Sequence, residues 1–347
     1  MTEEVLASLG WRQHFAVQLD VNDSKYLPVR VLAAHRGRVD VIGAAFEGSV
    51  ALTRRSAAMH VTVGDWVLVE QSGPAIVRRL EPFGLFQRRA AGTAGEIQNI
   101  AANVDTLFIV TSANRDFNVA RLERYLAIAQ EAGAFPVVVI TKADTVDSAS
   151  GFVADAATLS AGLLVEAMDA RDPEQAGVLR RWCEAGQTVA LVGSSGVGKS
   201  TLINTLAGEH LATRVTRASD QRGRHTTTTR SMHRLPDGGW LLDTPGMREL
   251  QLVDVADALD DVFAEITTLA RRCRFADCLH TAEPGCAVLA AAESGELDPD
   301  RLRRYRKLVS EDRRNTETLA ERRARDRSTG RLYKSILTEK RREKGGD

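Results

Sequence analysis

Short valine-rich segments separated by turn residues fill the first part of the chain. Glycines or a Gly-Pro pair follow these segments, which is typical of strands joined by turns. Five such strands fit a small β-barrel, and the nucleic-acid-binding OB fold is one such barrel. A barrel that is a scaffold or a protein-docking module fits equally. The predicted strands include 29–33, 38–44, 50–53 and 65–70, and the turns include Gly37, Gly48, Gly64 and Gly73-Pro74.

Between residues 103 and 250, continuous apolar segments alternate with segments of helical spacing. This alternation predicts a parallel sheet that helices cover on both faces. Residues 92–102 are predicted to be a linker. Beyond residue 255 the pattern is helical, interrupted by a cysteine-rich segment. The predicted strands are Asp105–Thr111, Pro136–Thr141, Thr188–Gly193 and Trp240–Asp243, and the predicted helices are Val119–Ala132, Val178–Glu184 and one that begins at Leu202.

A glycine-rich motif follows the strand that ends at Gly193. Residues 193–200 fit G-x-x-x-x-G-K-[ST] between an apolar strand and a helix, the context that a phosphate-binding loop requires. Glycines let backbone N–H groups converge on phosphates at the amino end of the helix. Lys199 is predicted to neutralise the β- and γ-phosphates, and the Ser200 hydroxyl is predicted to ligate Mg²⁺.

A D-x-x-G motif begins at the end of the strand Trp240–Asp243. Asp243 is predicted to act in the first or second shell of Mg²⁺, and the Gly246 amide is predicted to face the γ-phosphate. The polar segment R-G-R-H-T-T-T-T at 222–229 lies between the two motifs, where a mobile switch loop is expected. One threonine of Thr226–Thr229 is expected to close over Mg²⁺, and a flexible polar loop without that role is the alternative.

The strand that ends at Thr141 runs into T-K-x-D, which resembles the N-K-x-D element by which GTPases recognise guanine. The Asp144 carboxylate would accept hydrogen bonds from N1 and N2 of guanine, which adenine cannot donate. Lys142 is predicted to pack on the base. Thr141 replaces the usual Asn, which alters a polar contact near the base and the connection to the phosphate loop. An Asp-capped helix N-terminus is the alternative.

The order of the motifs is itself informative. In ordinary GTPases the base element follows the phosphate motifs, whereas here it precedes them. A sheet tolerates such a rearrangement if its original termini lay close together. The order therefore predicts a circularly permuted GTPase. A further base-contacting loop is expected between residues 144 and 193, with Leu164–Met168 as the candidate.

Cys273, Cys278, His280 and Cys286 follow the spacing C-x4-C-x-H-x5-C. Three thiolates and one imidazole match a closed tetrahedral Zn²⁺ site, so the predicted role is structural rather than catalytic. Cys183 is predicted to be a small buried apolar residue. This cysteine usage also indicates a reducing compartment rather than a disulfide framework.

The charge distribution adds a candidate polyanion-binding tail, and the hydropathy pattern argues against a membrane span and a signal peptide. The 347 residues carry no net formal charge, but residues 301–347 hold 17 Lys and Arg against 8 Asp and Glu. That tail is predicted to bind a polyanion, and a solvated charged helix is the alternative. No apolar run reaches the ~18 residues of a membrane span, and Met1–Gly10 lacks signal-peptide features.

The permuted order, the G-S-S-G-V-G-K-S loop, R-G-R-H-T-T-T, D-T-P-G and the Cys/His spacing together resemble the ribosome small-subunit-dependent GTPase A family (RsgA, also called YjeQ). The resemblance spans nearly the whole chain, including Ala101–Asp105. It implies an N-terminal OB fold, a permuted GTPase domain, a C-terminal zinc domain, and action late in maturation of the bacterial 30S subunit. It also implies Zn²⁺ ligation by the four Cys and His residues, and GTP contacts at Thr141, Lys142, Ala143, Asp144, Gly193, Ser194, Ser195, Gly196, Val197, Gly198, Lys199, Ser200 and Thr201.

We therefore expect an OB-like β-barrel at 1–88, an α/β P-loop GTPase domain with permuted motif order at 89–252, and a helical zinc domain with a basic tail at 253–347. The expected protein is a cytoplasmic, monomeric, Mg²⁺-dependent GTPase with one structural Zn²⁺. It would bind GTP and GDP, the 30S subunit and its 16S rRNA, and no membrane, and the subunit would stimulate its turnover.

The catalytic group is the least determined part of this expectation. Met247 stands where Ras-like enzymes place a water-orienting Gln, so His225 is the candidate for that task. A second possibility is that the partner supplies the group. The alternatives for the whole protein are another permuted ribosome-assembly GTPase, a nucleotide-switched rRNA-binding scaffold, or a P-loop kinase or ATPase without a guanine reader.

Overall fold

The structure, a computed structural model, describes residues 2–71, 75–89, 97–208, 230–243, 247, 250, 252 and 254–316. Its strands are β1 (Tyr26–His35), β2 (Arg38–Gly43), β3 (Glu47–Ala51), β4 (Trp66–Glu70), β5 (Ile76–Arg79), β6 (Leu85–Arg89), β7 (Ile97–Ala102), β8 (Thr106–Ser112), β9 (Phe135–Thr141), β10 (Leu164–Ala167), β11 (Thr188–Val192), β12 (Arg230–Arg234) and β13 (Trp240–Asp243). Its α-helices are α1 (Thr2–Ser8), α2 (Gln13–Ala16), α3 (Arg54–Ala57), α4 (Val119–Glu131), α5 (Ser150–Ala157), α6 (Pro173–Ala176), α7 (Lys199–Ala207), α8 (Ala256–Val262), α9 (Ala264–Ala270), α10 (Ala287–Ser294) and α11 (Pro299–Thr316).

The N-terminal strands pair antiparallel in the order β3-β2-β1-β4-β5. Val29 and Val31 of β1 join a valine-rich core with residues of β2 to β5, as the two-residue period of a strand requires. All four predicted strands are present. Gly48, predicted as a turn residue, instead lies inside β3. The Phe46 ring would lie only 3.3 Å from a Cβ at position 48, so glycine makes room for it.

Five parallel strands form a second part of the sheet in the order β10-β9-β8-β11-β13, and β12 pairs antiparallel with β13. Both β8 and β11 are buried along their whole length. Leu107 and Ile109 of β8 belong to a core that includes α4. Phe108 and Val110 belong to the opposite core, which includes α7. Helices therefore cover both faces, which confirms the predicted α/β arrangement.

Three predicted elements differ from the structure. The second half of the predicted linker 92–102 is strand β7, which pairs antiparallel with β6. The segment predicted as the helix Val178–Glu184 is a 3-10 helix, Gly177–Trp182. Helix α7 begins at Lys199 rather than Leu202, because Gly198 adopts a left-handed conformation (φ 94°) that lets the helix start directly after the loop.

A buried arginine ties the N-terminal sheet to the parallel strands. Arg30 of β1 donates hydrogen bonds to the backbone oxygens of Leu9 at 2.6 Å and Asn103 at 3.2 Å, and to the Thr188 hydroxyl at 2.7 Å. Burial lowers the pKa of Arg30 to about 10, so it stays charged at neutral pH. Strand β1 also pairs with β12, which makes the two regions one continuous sheet.

The C-terminal helices pack against α4 through a buried ion-pair cluster. Glu123 of α4 is buried and accepts hydrogen bonds from Arg301 at 2.9 Å and from Arg304 at 2.9 Å. Burial raises the pKa of Glu123, and the two arginines oppose that shift. These two arginines of the predicted polyanion-binding tail are therefore structural. Within the described part of the chain, no helix is long and apolar enough to cross a membrane.

Candidate functional site

The parallel strands reverse their order of addition between β8 and β11. Strands β8, β9 and β10 lie side by side in chain order, and the chain then returns to place β11 on the other side of β8. Ligands of open parallel sheets bind in the crevice that such a reversal opens at the carboxyl ends of the strands. The glycine-rich loop follows β11 and T-K-A-D follows β9, so the topology brings both predicted nucleotide motifs to this edge.

The glycine-rich loop leaves β11 in close contact with β8. A Cβ at Gly193 would lie 2.1 Å from the carbonyl oxygen of Val110, so a larger residue could not occupy this position without moving a strand. Gly196 and Gly198 have φ angles of 82° and 94°, which L side chains rarely adopt. The loop path therefore depends on glycine for both its approach to β8 and its backbone angles.

The lysine and serine of the motif begin helix α7. The Lys199 side chain is buried, and its ammonium donates to the backbone oxygen of Gly193 at 2.7 Å and to that of Ser194. Ser200 is exposed in the first turn of the helix. A cation, a hydroxyl and the amino end of a helix thus meet at the crevice, a combination that suits a polyphosphate.

The T-K-A-D motif is bound directly to the glycine-rich loop. The Thr141 hydroxyl is buried and lies 2.5 Å from the backbone oxygen of Val197 and 3.0 Å from that of Thr111. The Lys142 ammonium donates to the backbone oxygen of Gly196 at 2.8 Å. Threonine therefore maintains the connection to the phosphate loop that its replacement of Asn put in question.

The Asp144 carboxylate has an ionic partner that sequence reasoning missed. Arg171 Nη2 donates to Asp144 Oδ2 at 2.7 Å and to Asp169 Oδ2 at 3.0 Å. The segment Leu164–Met168 was predicted to be a base-contacting loop. Its first four residues instead form strand β10, and the loop begins at Met168. The Ala143 amide donates to the backbone oxygen of Met168 at 3.3 Å, so this loop lies beside the T-K-A-D motif. The sequence feature that could have indicated this ion pair is a basic residue, Arg171, two positions after the acidic Asp169.

Several predicted residues cannot be assigned a position. His225, Thr226–Thr229 and Gly246 lie outside the described residues. Asp243 ends β13, which pairs in parallel with β11 immediately before the glycine-rich loop. The Met247 side chain is buried in the core that includes α4, which agrees with its lack of a role in orienting water.

The four predicted metal ligands lie together between α9 and α10, and their ligand atoms all lie within 4.8 Å of one another. His280 Nδ1 is 3.7 Å from Cys273 Sγ and 3.4 Å from Cys286 Sγ, and these two sulfur atoms are 3.8 Å apart. Tetrahedral Zn²⁺ places its sulfur ligands about 3.8 Å apart and sulfur and nitrogen about 3.5 Å apart, given Zn–S of about 2.3 Å and Zn–N of about 2.0 Å. The spacing fits Zn²⁺, with the fourth ligand from Cys278.

Two features keep the Cys/His loop suited to a metal. Burial lowers the pKa of His280, so the imidazole is neutral at physiological pH and can ligate. The Glu283 carboxylate accepts backbone hydrogen bonds from Leu279 at 2.9 Å, Thr281 at 2.7 Å and Ala282 at 3.0 Å. The backbone amide of Glu283 itself contributes most, and together with these bonds it lowers the pKa of Glu283 to about 2. Glu283 thus shapes the loop through its bonds to the backbone. Cys183 is buried elsewhere, as predicted.

A basic groove of about 730 Å³ lies between the Cys/His loop and helix α11. The basic residues recur along the helix at intervals of three, four and seven positions, which places them on one face, and they are exposed. Exposed Leu279 belongs to the opposite wall. The basic residues that line the groove are Arg303, Arg306, Lys307, Arg313 and Arg314.

The sheet order, the glycine-rich loop and the bound T-K-A-D motif define a P-loop nucleotide-binding protein in which the base element precedes the phosphate loop. Residues 83–253 match the RsgA GTPase family. The chain is 50% identical over 315 residues to the small ribosomal subunit biogenesis GTPase RsgA of Mesorhizobium japonicum, covering 90% of this chain and 91% of that protein. The chain belongs to the RsgA GTPase family and is a GTP-hydrolysing enzyme.

Further relatives agree over most of their length. The small ribosomal subunit biogenesis GTPase RsgA 2 of Vibrio parahaemolyticus is 46% identical over 342 residues, covering 98% of this chain and 95% of that protein. The fold is similar to that of YjeQ from Thermotoga maritima (TM-score 0.60, 24% identity, 82% of this chain and 98% of that one). It is also similar to YloQ, described as a circularly permuted GTPase (TM-score 0.58, 20% identity, 86% of this chain and 99% of that one).

Proposed function

We propose that the protein is a Mg²⁺-dependent GTPase that binds the small ribosomal subunit, acts in its late maturation, and is stimulated by it. The observation that carries this proposal is the direct bonding of the base element to the phosphate loop, through Thr141 and Val197. The two elements proposed to recognise opposite ends of the nucleotide are thus bonded to each other. The names of the relatives at 50% and 46% identity supply the ribosomal part.

The proposed nucleotide contacts follow from the chemistry of the side chains. Asp144 would accept hydrogen bonds from N1 and N2 of guanine. Lys142, whose ammonium donates to the backbone oxygen of Gly196 in the phosphate loop, would pack on the base. The Lys199 ammonium would give up its hydrogen bonds to backbone oxygens of the loop and bind the β- and γ-phosphates instead. The amides from Gly193 to Thr201 and the amino end of α7 would surround the phosphate oxygens.

Magnesium would be held through Ser200, with Asp243 in the first or second shell and a threonine of 226–229 completing the site. The ion would neutralise the charge that develops on the phosphate oxygens. His225 would orient the attacking water, since Met247 is buried. Products are GDP and phosphate.

The C-terminal part is proposed to hold one structural Zn²⁺ and to contact rRNA. Cys273, Cys278, His280 and Cys286 would occupy all four tetrahedral positions, which leaves no position for a substrate. The groove on α11 would accept the phosphate backbone of 16S rRNA. We propose domains at 1–88, 89–252 and 253–347, with the N-terminal sheet an OB-like barrel. A monomer acting in the cytoplasm, where subunits mature, completes the proposal.

Nucleotide specificity and subunit dependence test this proposal together. GTP turnover should be measured with and without purified 30S subunits, alongside sedimentation with 30S in a non-hydrolysable GTP analogue. Asp144→Asn should weaken GTP binding and favour xanthine nucleotide, because the amide donates to the xanthine carbonyl. Thr145→Ala, a neighbouring change that leaves the carboxylate intact, is the matched control.

Each alternative function predicts a different result. A P-loop kinase or ATPase would bind adenine nucleotide equally well, and Asp144→Asn would not create a preference for xanthine nucleotide. An rRNA-binding scaffold would sediment with 30S but show no stimulated turnover. Absence of co-sedimentation in both nucleotide states would remove the ribosomal part of the proposal.

A further inference from the structure

We infer that Arg171 is an internal competitor for guanine, which occupies the Asp144 carboxylate and must leave it when the base binds. This inference rests on the proposed role of Asp144. Arg171 Nη2 lies 2.7 Å from Asp144 Oδ2, where it donates to the same carboxylate that would receive the N1 and N2 donors of guanine. Both the guanidinium and the guanine edge present adjacent N–H donors to a carboxylate.

The guanidinium is held in place by its own loop. Asp169 Oδ1 accepts from Arg171 Nε at 3.0 Å and from the Arg171 amide at 2.9 Å. The Asp169 amide donates to Gln175 Oε1 at 3.0 Å. The Thr205 hydroxyl of α7 donates to the backbone oxygen of Ala170 at 2.7 Å. Bonds from two helices thus fix the two residues that precede the arginine.

Asp169 provides a second carboxylate to which Arg171 can stay bonded after it leaves Asp144. When guanine binds Asp144, Arg171 can keep its bonds to Asp169 and lose only the bond from Nη2 to Asp144 Oδ2. Guanine binding then replaces the charge-assisted hydrogen bond between Arg171 and Asp144 with hydrogen bonds from the base. Breaking the Arg171 bond uses part of the free energy of base binding. The cost is the same for GTP and GDP, because both carry guanine. Arg171 would therefore lower affinity for both nucleotides and favour release of the product.

The test measures dissociation constants of GDP and of a non-hydrolysable GTP analogue for the full chain. Arg171→Ala should tighten both by the same factor, about 1.5- to 5-fold, the range that exposed ion pairs support. Arg171→Lys should fall between. Because salt screens an exposed ion pair, the gap between wild type and Arg171→Ala should narrow at high ionic strength. Arg181→Ala is the matched control, since Arg181 makes an exposed ion pair with Glu166 of β10, away from Asp144.

A double-mutant cycle isolates the Asp144 contact. In an Asp144→Asn background the neutral amide binds the guanidinium weakly, so Arg171→Ala should leave the dissociation constant of xanthosine diphosphate nearly unchanged. Equal or weaker GDP binding by Arg171→Ala overturns the inference, and so does equal tightening by Arg181→Ala. Wild-type protein without a preference for guanine nucleotides would instead overturn the proposed function, and the inference with it.

Discussion

The nucleotide site and the Cys/His site are both compact, but they are organised by different forces. The nucleotide site joins segments far apart in the sequence, and buried backbone and hydroxyl hydrogen bonds such as Thr141–Val197 connect them. The Cys/His site lies within a single loop between two short helices. The sheet therefore organises the first site before any ligand binds, whereas the second is proposed to derive its folding free energy from a bound metal.

This difference predicts that the two sites fail independently and in different ways. Damage to the Cys/His site should unfold its loop and leave the strands intact, since β8, β9 and β11 pair with one another and not with the loop. Damage within the nucleotide site should alter affinity or rate without unfolding. The predictions that follow test this separation in order of decreasing effect.

Removal of a metal ligand should have the largest effect. Cys278→Ala should abolish stoichiometric zinc and unfold the local loop, because ligation contributes on the order of 10 kcal/mol in zinc-dependent segments. GTP affinity should stay near wild type. Metal analysis, hydrogen exchange over 273–286 and GTP titration check this together. Cys183→Ala, which removes a buried cysteine outside the loop, should keep its zinc. Zinc-free wild-type protein prepared under reducing conditions would contradict the prediction.

Loss of the water-orienting group should have the next largest effect. His225→Ala should lower 30S-stimulated single-turnover GTP hydrolysis by ~10²–10⁴-fold, the usual contribution of a general base or water-positioning group. GTP affinity and 30S binding should stay nearly intact. His233→Ala on β12, where the imidazole bonds Ser231, is the matched histidine control. Full stimulation of His225→Ala would mean that the subunit supplies the catalytic group.

Sequence reasoning succeeded where chemistry is encoded locally. The phosphate loop occupies residues 193–200, and the four Cys and His residues lie within 273–286. Each motif is a short continuous segment, so the order of its residues is enough to predict it. Four of the five parallel strands, β8, β9, β11 and β13, were predictable because they are continuously apolar, whereas β10 was predicted as a loop. Strand β7 was missed because its sequence, I-Q-N-I-A-A, mixes polar and apolar residues and pairs only with β6.

Contacts between distant segments could not be predicted in this way. Arg171 and Asp144 are separated by a helix and a strand, and Glu123 and Arg301 lie in different parts of the chain. An ion pair is specified by where the fold places two charges, which the spacing along the chain does not reveal. For the same reason composition assigned Arg301 and Arg304 to a polyanion-binding tail, whereas the fold pairs both with the buried Glu123.

The hydroxyl that connects the base element to the phosphate loop should have a moderate effect. Thr141→Val keeps the shape of the side chain but removes the one hydroxyl proton that the buried backbone oxygens of Thr111 and Val197 share. The cost of about 1–2 kcal/mol corresponds to a fivefold to thirtyfold rise in the dissociation constant of GTP. Thr141→Ser should restore binding, and zinc content should not change in either variant. Equal binding by the valine variant would show that the sheet alone fixes the loop.

Neutralisation of the basic groove should have the smallest effect, visible mainly in its dependence on salt. Arg306 and Lys307 are exposed on the face of α11 that lines the groove. If each contacts a phosphate of rRNA, the double change to Gln should reduce the slope of log K against log salt by up to about 1–2. Arg180→Gln with Arg181→Gln removes the same charge from a 3-10 helix outside the groove and should leave the slope unchanged. Binding to 30S measured from low to moderate salt separates the two variants. An unchanged slope for the groove variant would place the rRNA contacts elsewhere and leave the basic face of α11 as a solvated surface.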